Sequence, residues 1–562
     1  MIFCRRCITV LFVANAVATN ALAVVVDNAT FPIVDLGYAR YQGTIVHDEI
    51  NNSTRTQFLS LRYAAPPTGS ARFRGPVSPV TVSDIQQANA QPPTCIQAAL
   101  GAFGAAPTSP FREGQTTLRK RVERRSDEAP TAATESTESE DCLFLNVHLP
   151  GTLGQKKNLP VVVWIHGGGY VVGGATGIFG SGTFDGNDLI RQSGEGVVVV
   201  VIQYRLGLFG FLAGQKVRDG GDLNAGLLDQ QFALQWVQTH ISKFGGDPNK
   251  VTIWGESAGA GSVIQHLVAN GGKTHPPLFN AAMTSSTFLP PQYKYNDHIP
   301  EVIYNETVAQ SNCSSAIDTL DCLRQADLSI LQPINTDIEA AGFFGTFTFV
   351  PVVDGEFITD RPTKLLKEGK INTHALVLSV TNAHEGDVFV NQTSNLQLTD
   401  FITQLFPTLE SKEIQAAVQH YAGLGSNTAQ ANAAMGESIF ICPTYTLMQA
   451  VNSFKGEFAI PPAFHGSDLA YYFPSGSPPP FQNQDFINAF AESFMNFARF
   501  LDPNVKWNPM DVTPTWKLWN GSNEMLFNGT DTGAPDIKSI KTSAMLLERC
   551  RFWESVSAAT AQ

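Results

Sequence analysis

Short runs of β-branched and other apolar residues, each followed at once by polar or glycine-rich residues, constrain the fold of this chain most strongly. Four such runs are residues 161–165, 197–202, 251–254 and 375–380. Continuous apolar runs suit strands that are buried on both faces, as in a parallel sheet covered by helices. Between the second and third runs, apolar residues recur at roughly helical spacing, and Gly245-Gly246 and Pro248 then end the pattern: Leu228, Phe232, Trp236, Val237, Ile241 and Phe244. Strand, helix and strand in this order predict an α/β fold whose central, mostly parallel sheet is flanked by helices.

The bulk composition excludes several classes of protein. The chain has 562 residues, of which 43% are hydrophobic and 15% are charged, which is typical of globular proteins. Its formal net charge of −13 argues against nucleic acid and anionic membranes as partners. No repeat and no linker between two cores is evident, so we predict one domain over residues 24–562.

The pentapeptide Gly255-Glu256-Ser257-Ala258-Gly259 follows the third apolar run directly. This is the G-x-S-x-G pattern in the context of strand, sharp turn and helix that its chemistry requires. The turn lifts the serine hydroxyl clear of the sheet, and the flanking glycines let strand and helix approach closely. The pattern also occurs by chance around buried serines, but the preceding strand favours Ser257 as the nucleophile of an α/β-hydrolase fold.

A second glycine-rich segment, His166-Gly167-Gly168-Gly169, follows the first apolar run. Residues without side chains let backbone amides point into a cavity where a tetrahedral oxyanion forms. We expect the amides of Gly168, Gly169 and Ala258, the residue after the nucleophile, to form this oxyanion hole. A phosphate-binding loop is the alternative interpretation, but no Gly-Lys-Ser/Thr sequence follows the glycines.

Together these motifs resemble the type-B carboxylesterases, the family that includes fungal lipases and cholinesterases. Further matching stretches are residues 139–147, 222–231 and 244–248, and the similarity extends from about Val34 to Trp553. Residues 34–41 and 284–290 look most like secreted fungal esterases. The resemblance implies an α/β-hydrolase fold and a serine carboxylesterase that requires neither a metal nor a cofactor.

The acid and the base should follow the nucleophile along the chain in this fold. The resemblance implies that the acid is Glu385, which precedes Gly386 shortly after the fourth apolar run. The position before the acid is commonly Asp in the family but is His384 here, which also offers a rival histidine. The resemblance implies that the base is His465, in the sequence His465-Gly466-Ser467-Asp468. We expect Asp468 to orient the base loop and His166 to be structural.

The cysteine count supports disulfide bonding. Cys4 and Cys7 lie in the predicted signal segment, and an even number in the rest of an exported chain suggests three disulfides with 15 possible connectivities. The resemblance implies the pairing Cys95–Cys142, Cys313–Cys322 and Cys442–Cys550.

Residues 1–23 have the pattern of a secretory signal. Arg5 and Arg6 form a basic region, residues 8–18 are mostly apolar, and Ala21-Leu22-Ala23 fits a cleavage site. The apolar run is too short to cross a bilayer, and no other run in the sequence is long enough. The sequence therefore predicts a secreted protein without an integral membrane anchor. N-x-S/T sequons agree with export, although some are expected to be chance matches: Asn28, Asn51, Asn52, Asn305, Asn312, Asn391, Asn520 and Asn528.

Residues from about 104 to 140 are polar and repetitive, with little to bury. We predict a mobile surface insertion in the loop closed by Cys95 and Cys142. Its basic run is most simply a solvated loop. The sharper hypothesis is proteolytic processing at Lys120-Arg121 or Arg124-Arg125.

The sequence constrains the identity of the substrate less than it constrains the type of reaction. The same disulfide loop contains no Trp, whereas family members that bind choline stack the quaternary ammonium on a Trp there. Four phenylalanines could line an acyl pocket or simply belong to the core: Phe343, Phe344, Phe347 and Phe349. We expect a small ester or lipid substrate and a carboxylesterase that acts on apolar acyl esters through an acyl-enzyme. Triacylglycerol lipase is the alternative. A non-catalytic adhesion protein is disfavoured because all three catalytic residues are present.

Overall fold

The structure is a computed structural model that describes residues 31–48, 52–98, 138–178, 184–372, 376–393 and 396–562. The predicted signal segment, the two dibasic sequences and the predicted insertion up to residue 137 lie outside these ranges, so their predictions stay untested.

The strands of the described part alternate with helices along most of the chain. The strands are β1 (Ile33–Asp35), β2 (Arg40–Gln42), β3 (Thr44–Asp48), β4 (Ser53–Arg62), β5 (Ile85–Gln87), β6 (Phe144–Pro150), β7 (Leu159–Ile165), β8 (Val198–Ile202), β9 (Gly246–Glu256), β10 (Ala281–Ser285), β11 (Val377–Asn382), β12 (Ser453–Phe458), β13 (Asn523–Gly529) and β14 (Pro535–Lys541).

The α-helices follow the same order. They are α1 (Gly186–Gln192), α2 (Gly207–Phe211), α3 (Gln215–Gly220), α4 (Ala225–His240), α5 (Ala258–Gly272), α6 (His298–Gln310), α7 (Thr319–Gln325), α8 (Leu328–Ala340), α9 (Pro362–Lys367), α10 (Leu398–Leu405), α11 (Ser411–Tyr421), α12 (Asn427–Gly436), α13 (Cys442–Ala450), α14 (Leu469–Tyr472), α15 (Gln484–Phe500) and α16 (Ala544–Ser555). Shorter turns of other helix types cover Gly69–Ala71, Ile241–Phe244, Asp387–Phe389 and Glu437–Ile441.

One large sheet organises the molecule. Its strand order is β14-β13-β12-β11-β10-β9-β7-β8-β6-β4-β3, and the strands from β13 to β8 run parallel to one another. Antiparallel strands complete both edges. Strands β1, β2 and β5 form a separate small sheet, which the sequence analysis did not predict.

The sequence predicted the central strands because both of their faces are buried. Val161, Val163 and Ile165 of β7 belong to the hydrophobic core on one face, while Val162 and Trp164 belong to the core on the other. Helices α4 and α5 cover the first face and α15 covers the second. This confirms the predicted mostly parallel sheet flanked by helices.

The predicted element boundaries were close but not all correct. The strand predicted at residues 375–380 lies two residues later, from Val377 to Asn382. Its end is set by pairing with β10 and β12, and the pairing with β12 continues past the end of the apolar run. The predicted helix that ends at Phe244 is α4 up to His240, followed by the tighter turn Ile241–Phe244.

Disulfides tie the connecting segments to this framework. The structure forms Cys95–Cys142, Cys313–Cys322 and Cys442–Cys550, the pairing that the family resemblance implies. Within the described ranges, no helix combines the length and apolar character needed to cross a membrane.

Candidate active site

The candidate site lies at one edge of the large sheet, where four parallel strands end. The glycine-rich segment follows β7, Ser257 follows β9, Glu385 follows β11 and His465 lies in the loop after β12. Because the carboxyl ends of parallel strands share one edge, residues far apart in the sequence converge there. Topology thus explains why the predicted residues meet.

Ser257 occupies a strained turn between β9 and α5. Its backbone has φ 56° and ψ −125°, which costs a non-glycine residue roughly 1–3 kcal/mol. The amide of Ser257 donates a hydrogen bond to the carbonyl of Ser285 at 3.0 Å, which helps to hold this conformation. A Cβ at Gly259 would overlap the carbonyl oxygen of Ile165, so the motif needs glycine there for β7 and α5 to approach. The side chain of Ser257 is 7% exposed.

The glycine-rich segment lies directly against this turn. A Cβ at Gly167 would come within 2.9 Å of the Cβ of Ser257. Gly168 and Gly169 have φ values of +97° and +64°, which L side chains rarely adopt. Among the described residues, no group accepts a hydrogen bond from the amides of Gly168, Gly169 or Ala258. These three amides are therefore available to an oxyanion beside Ser257.

The structure brings His465 and Glu385 into direct contact. Nδ1 of His465 lies 2.6 Å from Oε2 of Glu385, and Oε1 of Glu385 accepts the amide of Asn382 at 2.6 Å. A carboxylate partner makes Nδ1 the protonated nitrogen, which leaves the lone pair of Nε2 available as a base. Glu385 is 1% exposed, so water competes little for this hydrogen bond.

The structure forms no hydrogen bond between the hydroxyl of Ser257 and His465. Nε2 of His465 instead lies 3.4 Å from Oε1 of Glu256, the residue before the serine. Catalytic hydrogen bonds are often long without substrate and shorten in the reacting complex. Two of the three predicted residues are thus in contact and the third is in the adjoining turn.

Carboxylates surround the imidazole and set its charge. Burial acts to lower the pKa of His465, but Glu256, the hydrogen bond and charge of Glu385, and Asp468 outweigh it, so this pKa is raised. Burial, with smaller contributions from Asp468 and Glu385, raises the pKa of Glu256 to about 8 against the opposing effect of His465. Glu256 and His465 therefore favour each other's charged forms, and loss of the Glu256 carboxylate should lower the pKa of His465.

Asp468 anchors the segment that carries the base. Its Oδ1 accepts the side-chain amide of Asn382 at 3.0 Å, and its Oδ2 accepts the hydroxyl of Tyr472 at 2.9 Å. Because Asn382 also donates its backbone amide to Glu385, the acid and base loops share one hydrogen-bonded partner. The predicted orienting role of Asp468 agrees with these contacts.

Aromatic rings enclose the imidazole. The ring centres of Phe389 and Phe440 lie 5.0 Å and 4.5 Å from that of His465. Phe288 and Phe347 extend this group, with centres 5.5 Å apart. The four rings exclude water from one side of the site, which strengthens the electrostatic interactions within it.

An apolar pocket adjoins Phe288 and Phe347, and Ser257, Glu385 and His465 are not among the residues that line it. It contains about 870 Å³ of atom-free space, counting the part open to solvent. Both rings line it, together with Phe349, residues of the ends of α2, α10 and α12, and the start of α6. Of the four phenylalanines noted in the sequence, Phe347 and Phe349 line this pocket. Phe343, which packs against Phe401, and Phe344 are not among the residues that line it.

The other candidate histidines lie elsewhere. His384 is exposed, and its amide donates to the carbonyl of Ala463 at 2.9 Å. His166 is buried, with its ring stacked 4.4 Å from that of Tyr204, and burial lowers its pKa to about 4. Among the described residues, no group of three or more His, Cys, Asp and Glu side chains could hold a metal ion.

Sequence reasoning missed three residues that touch the base. Glu256 lies in the pentapeptide, but it occupies a position at which the G-x-S-x-G pattern accepts any residue. The pattern therefore did not identify Glu256 as a functional residue. Phe389 and Phe440 contact His465 from segments that share no motif with it. Only the packing of the turns Asp387–Phe389 and Glu437–Ile441 against the base loop reveals them.

Carboxylesterases and lipases from fungi are similar to this chain over most of its length. The sequence profile described as "Carboxylesterase family" matches residues 30–553. Carboxylesterase patB of Penicillium expansum is 31% identical over 568 aligned positions, covering 94% of this chain and 96% of its own length. Lipase 2 of Diutina rugosa is 30% identical over 539 positions, covering 87% of this chain and 93% of its own.

A solved structure extends the likeness to three dimensions. The crystal structure of Aspergillus niger EstA matches with a TM-score of 0.78 at 30% identity, covering 95% of this chain and 99% of that one. The chain belongs to the carboxylesterase family, has the α/β-hydrolase fold and is a carboxylic ester hydrolase.

Proposed function

We propose that Ser257, His465 and Glu385 form a catalytic triad that hydrolyses esters through an acyl-enzyme. The hydroxyl oxygen of Ser257 attacks the ester carbonyl carbon while Nε2 of His465 takes its proton. Glu385 holds the imidazole in the reactive tautomer and stabilises the imidazolium that forms. The observation that carries this proposal is the 2.6 Å contact between Nδ1 of His465 and Glu385, beside the strained serine turn.

The negative charge that develops on the carbonyl oxygen requires hydrogen-bond donors in the same place. The amides of Gly168, Gly169 and Ala258 are free of other partners among the described residues and lie beside Ser257. We assign them as the oxyanion hole. Donors that are fixed before the reaction need no reorganisation during it, and one of them is typically worth about 2.7–4 kcal/mol.

The alcohol leaves after His465 returns the proton to its oxygen. A water molecule then attacks the acyl carbon while His465 takes a proton from that water. Collapse of the second tetrahedral intermediate breaks the bond to Ser257, and His465 returns the proton to the serine. The products are one alcohol and one carboxylic acid, and no cofactor is needed to balance the reaction.

We propose that the acyl group of the substrate is apolar and occupies the pocket behind Phe288 and Phe347. That pocket is lined mainly by apolar side chains and backbone. A buried carboxylate or ammonium group would find no charged partner in this lining, so a charged acyl group would be disfavoured. We therefore favour a general carboxylesterase that acts on esters with apolar acyl groups.

Triacylglycerol lipase is the second candidate. The similarity to Lipase 2 of Diutina rugosa over most of both chains supports it, as does the size of the apolar pocket. The two candidates share the same chemistry and differ in whether the substrate is presented as an aggregate.

Hydrolysis of p-nitrophenyl esters from acetate to palmitate, and of emulsified triolein, tests both the serine mechanism and the choice between carboxylesterase and lipase. The wild type should hydrolyse the soluble esters, and Ser257→Ala should lose that activity by roughly 10⁴-fold or more. Ser411→Ala, at an exposed serine that begins α11, is the matched control and should retain it. Equal rates for wild type and Ser257→Ala would contradict the serine mechanism. Triolein hydrolysis that rises sharply at an oil–water interface would favour the lipase.

We further propose that the protein is exported with residues 1–23 removed. The three disulfides support an oxidising destination. Expression of the full chain in a eukaryotic secretory host should release a protein whose N-terminus follows Ala23. Retention of the chain in the cell with residues 1–23 intact would contradict this.

A further inference from the structure

Glu339 is a buried carboxyl group that the proposed mechanism does not use. It lies near the end of α8 and is 0% exposed, on a helix whose other buried residues include Leu331, Ile334 and Ile338. No cationic side chain of the described ranges pairs with it, and burial raises its pKa to about 8. An acidic group is also unfavourable at the C-terminal end of a helix. The stability of the fold alone therefore does not explain why a carboxyl group occupies this position.

Its hydrogen bonds point to a role in the pocket. Oε2 of Glu339 accepts the amides of Thr348 and Phe349, at 3.0 Å and 3.3 Å. Both residues line the apolar pocket and belong to the segment 343–350, which we call the pocket loop. Within the described part of the chain, Oε1 of Glu339 has no partner. One carboxyl oxygen thus fixes two consecutive amides of the pocket wall.

The pocket loop also contacts the catalytic edge. The ring of Phe347 fills the space that a Cβ at Gly169 would need, next to the proposed oxyanion hole. On its other side, a Cβ at Gly345 would overlap the carbonyl oxygen of Phe389, whose ring contacts His465. The loop is held between Glu339 and the Phe389 turn, so its position determines both the pocket wall and the ring that separates the pocket from Ser257.

We propose that Glu339 is a positioning residue that sets acyl-chain selectivity by fixing the pocket loop, an inference that rests on the proposed function. A short acyl group bound to Ser257 ends near Phe288 and Phe347 and makes few contacts with the loop. A long acyl group passes Phe347 and lies along the segment that Glu339 holds. Loss of the carboxyl acceptor leaves two buried amides unsatisfied, and the loop then moves to satisfy them.

The test measures kcat/KM for p-nitrophenyl decanoate and for p-nitrophenyl acetate. The ratio of the decanoate value to the acetate value is then compared among Glu339→Leu, Glu339→Gln and wild type. In Glu339→Leu, which keeps bulk but has no acceptor, the ratio should fall by about tenfold through a higher KM for the decanoate. Glu339→Gln keeps one acceptor oxygen and should stay within about threefold of wild type. A lesion that only destabilises the fold would lower both rates together and leave the ratio unchanged.

Thr336→Val is the matched control, because it removes from the same helix a hydroxyl that donates to the carbonyl of Gln332 in that helix, at 3.4 Å. It should leave the ratio within about twofold of wild type. A folded Glu339→Leu with the wild-type ratio, or a Glu339→Gln that loses as much as Glu339→Leu, would overturn the proposal.

A second variant covers the case in which Glu339→Leu does not fold. Glu339→Asp keeps the carboxyl group but is one methylene shorter, so the loop must move to meet it, and the ratio should fall by about threefold or more. An unchanged ratio in folded Glu339→Asp would equally overturn the proposal. Failure of the proposed function looks different, since the wild type would then hydrolyse neither ester and would not react with a p-nitrophenyl phosphonate at Ser257.

Discussion

The two halves of the candidate site are built in different ways. The nucleophile half consists of Ser257 and the amides around it, and backbone geometry sets it through positive φ values and contacts too close for a Cβ. The acid–base half consists of His465 and the carboxylates around it, and side-chain hydrogen bonds and burial set it. The first half is a steric arrangement of contiguous residues, whereas the second is an electrostatic arrangement assembled from separate segments.

This difference predicts which kinds of substitution each half tolerates. A steric arrangement fails when an atom is added, because neither the β7 backbone nor the α5 backbone can move aside. An electrostatic arrangement fails when a charge or a donor is removed, even if the shape is kept. Substitutions that keep the shape should therefore damage the acid–base half, and substitutions that add one carbon should damage the nucleophile half.

The largest effect is expected from a change of charge without a change of shape. Glu385→Gln keeps the size of the side chain but no longer holds His465 in the tautomer with a free Nε2, so kcat/KM on p-nitrophenyl acetate should fall by about 10⁴-fold. Asp387→Asn makes the same chemical change two residues away, at a half-buried side chain outside the triad, and should stay close to wild type. A loss below tenfold in Glu385→Gln would remove Glu385 from the acid role.

A smaller effect is expected from one added carbon in the nucleophile half. Gly169→Ala requires a side chain at φ +64° and in the space of the Phe347 ring, so it should displace an oxyanion donor and lower kcat by roughly 10²- to 10³-fold. Gly154→Ala imposes a similar backbone penalty at φ +84° with nothing within 4 Å of the new Cβ. If both variants lose the same activity, backbone strain and not the local fit explains the loss, and the steric account of this half is wrong.

The smallest effect is a shift of the pH dependence. His465 acts as a base only when it is neutral, and its pKa is raised, so activity should fall as the pH drops through a value above the ordinary 6.5 of imidazole. Glu256→Gln removes a carboxylate whose charge raises that pKa, so the acidic limb should move to lower pH.

Glu492→Gln is the control for this shift. Glu492 is also a buried acid, on α15 in the opposite layer, where its carboxyl accepts a hydrogen bond from Asn508. Its substitution should leave the acidic limb of kcat/KM where the wild type has it. An acidic limb that moves equally in both variants would show that the carboxyl beside Nε2 has no specific influence on His465.

The nucleophile half was predictable from the sequence because steric demands leave short patterns of glycine. The segments from His166 to Gly169 and from Gly255 to Gly259 each follow an apolar strand, and both lie where that context predicts. The central strands were predictable for a similar reason, since burial on both faces requires continuous apolar runs.

The acid–base half was predictable only in part. The identities of Glu385 and His465 came from family resemblance, and no local pattern brings Glu256, Phe389 or Phe440 to the imidazole. Their contacts join segments that are far apart in the chain. Glu339 was equally invisible, because an acid on a helix usually faces water, and only its hydrogen bonds to the pocket loop show otherwise.

Covalent trapping tests the central claim most directly. The account predicts that a p-nitrophenyl alkylphosphonate modifies Ser257 alone, seen by mass spectrometry of the digested protein. A crystal structure of that adduct should place the phosphonyl oxygen within hydrogen-bond distance of the amides of Gly168, Gly169 and Ala258, with Nε2 of His465 facing the serine oxygen. An adduct on another residue, or a phosphonyl oxygen turned away from all three amides, would contradict the account.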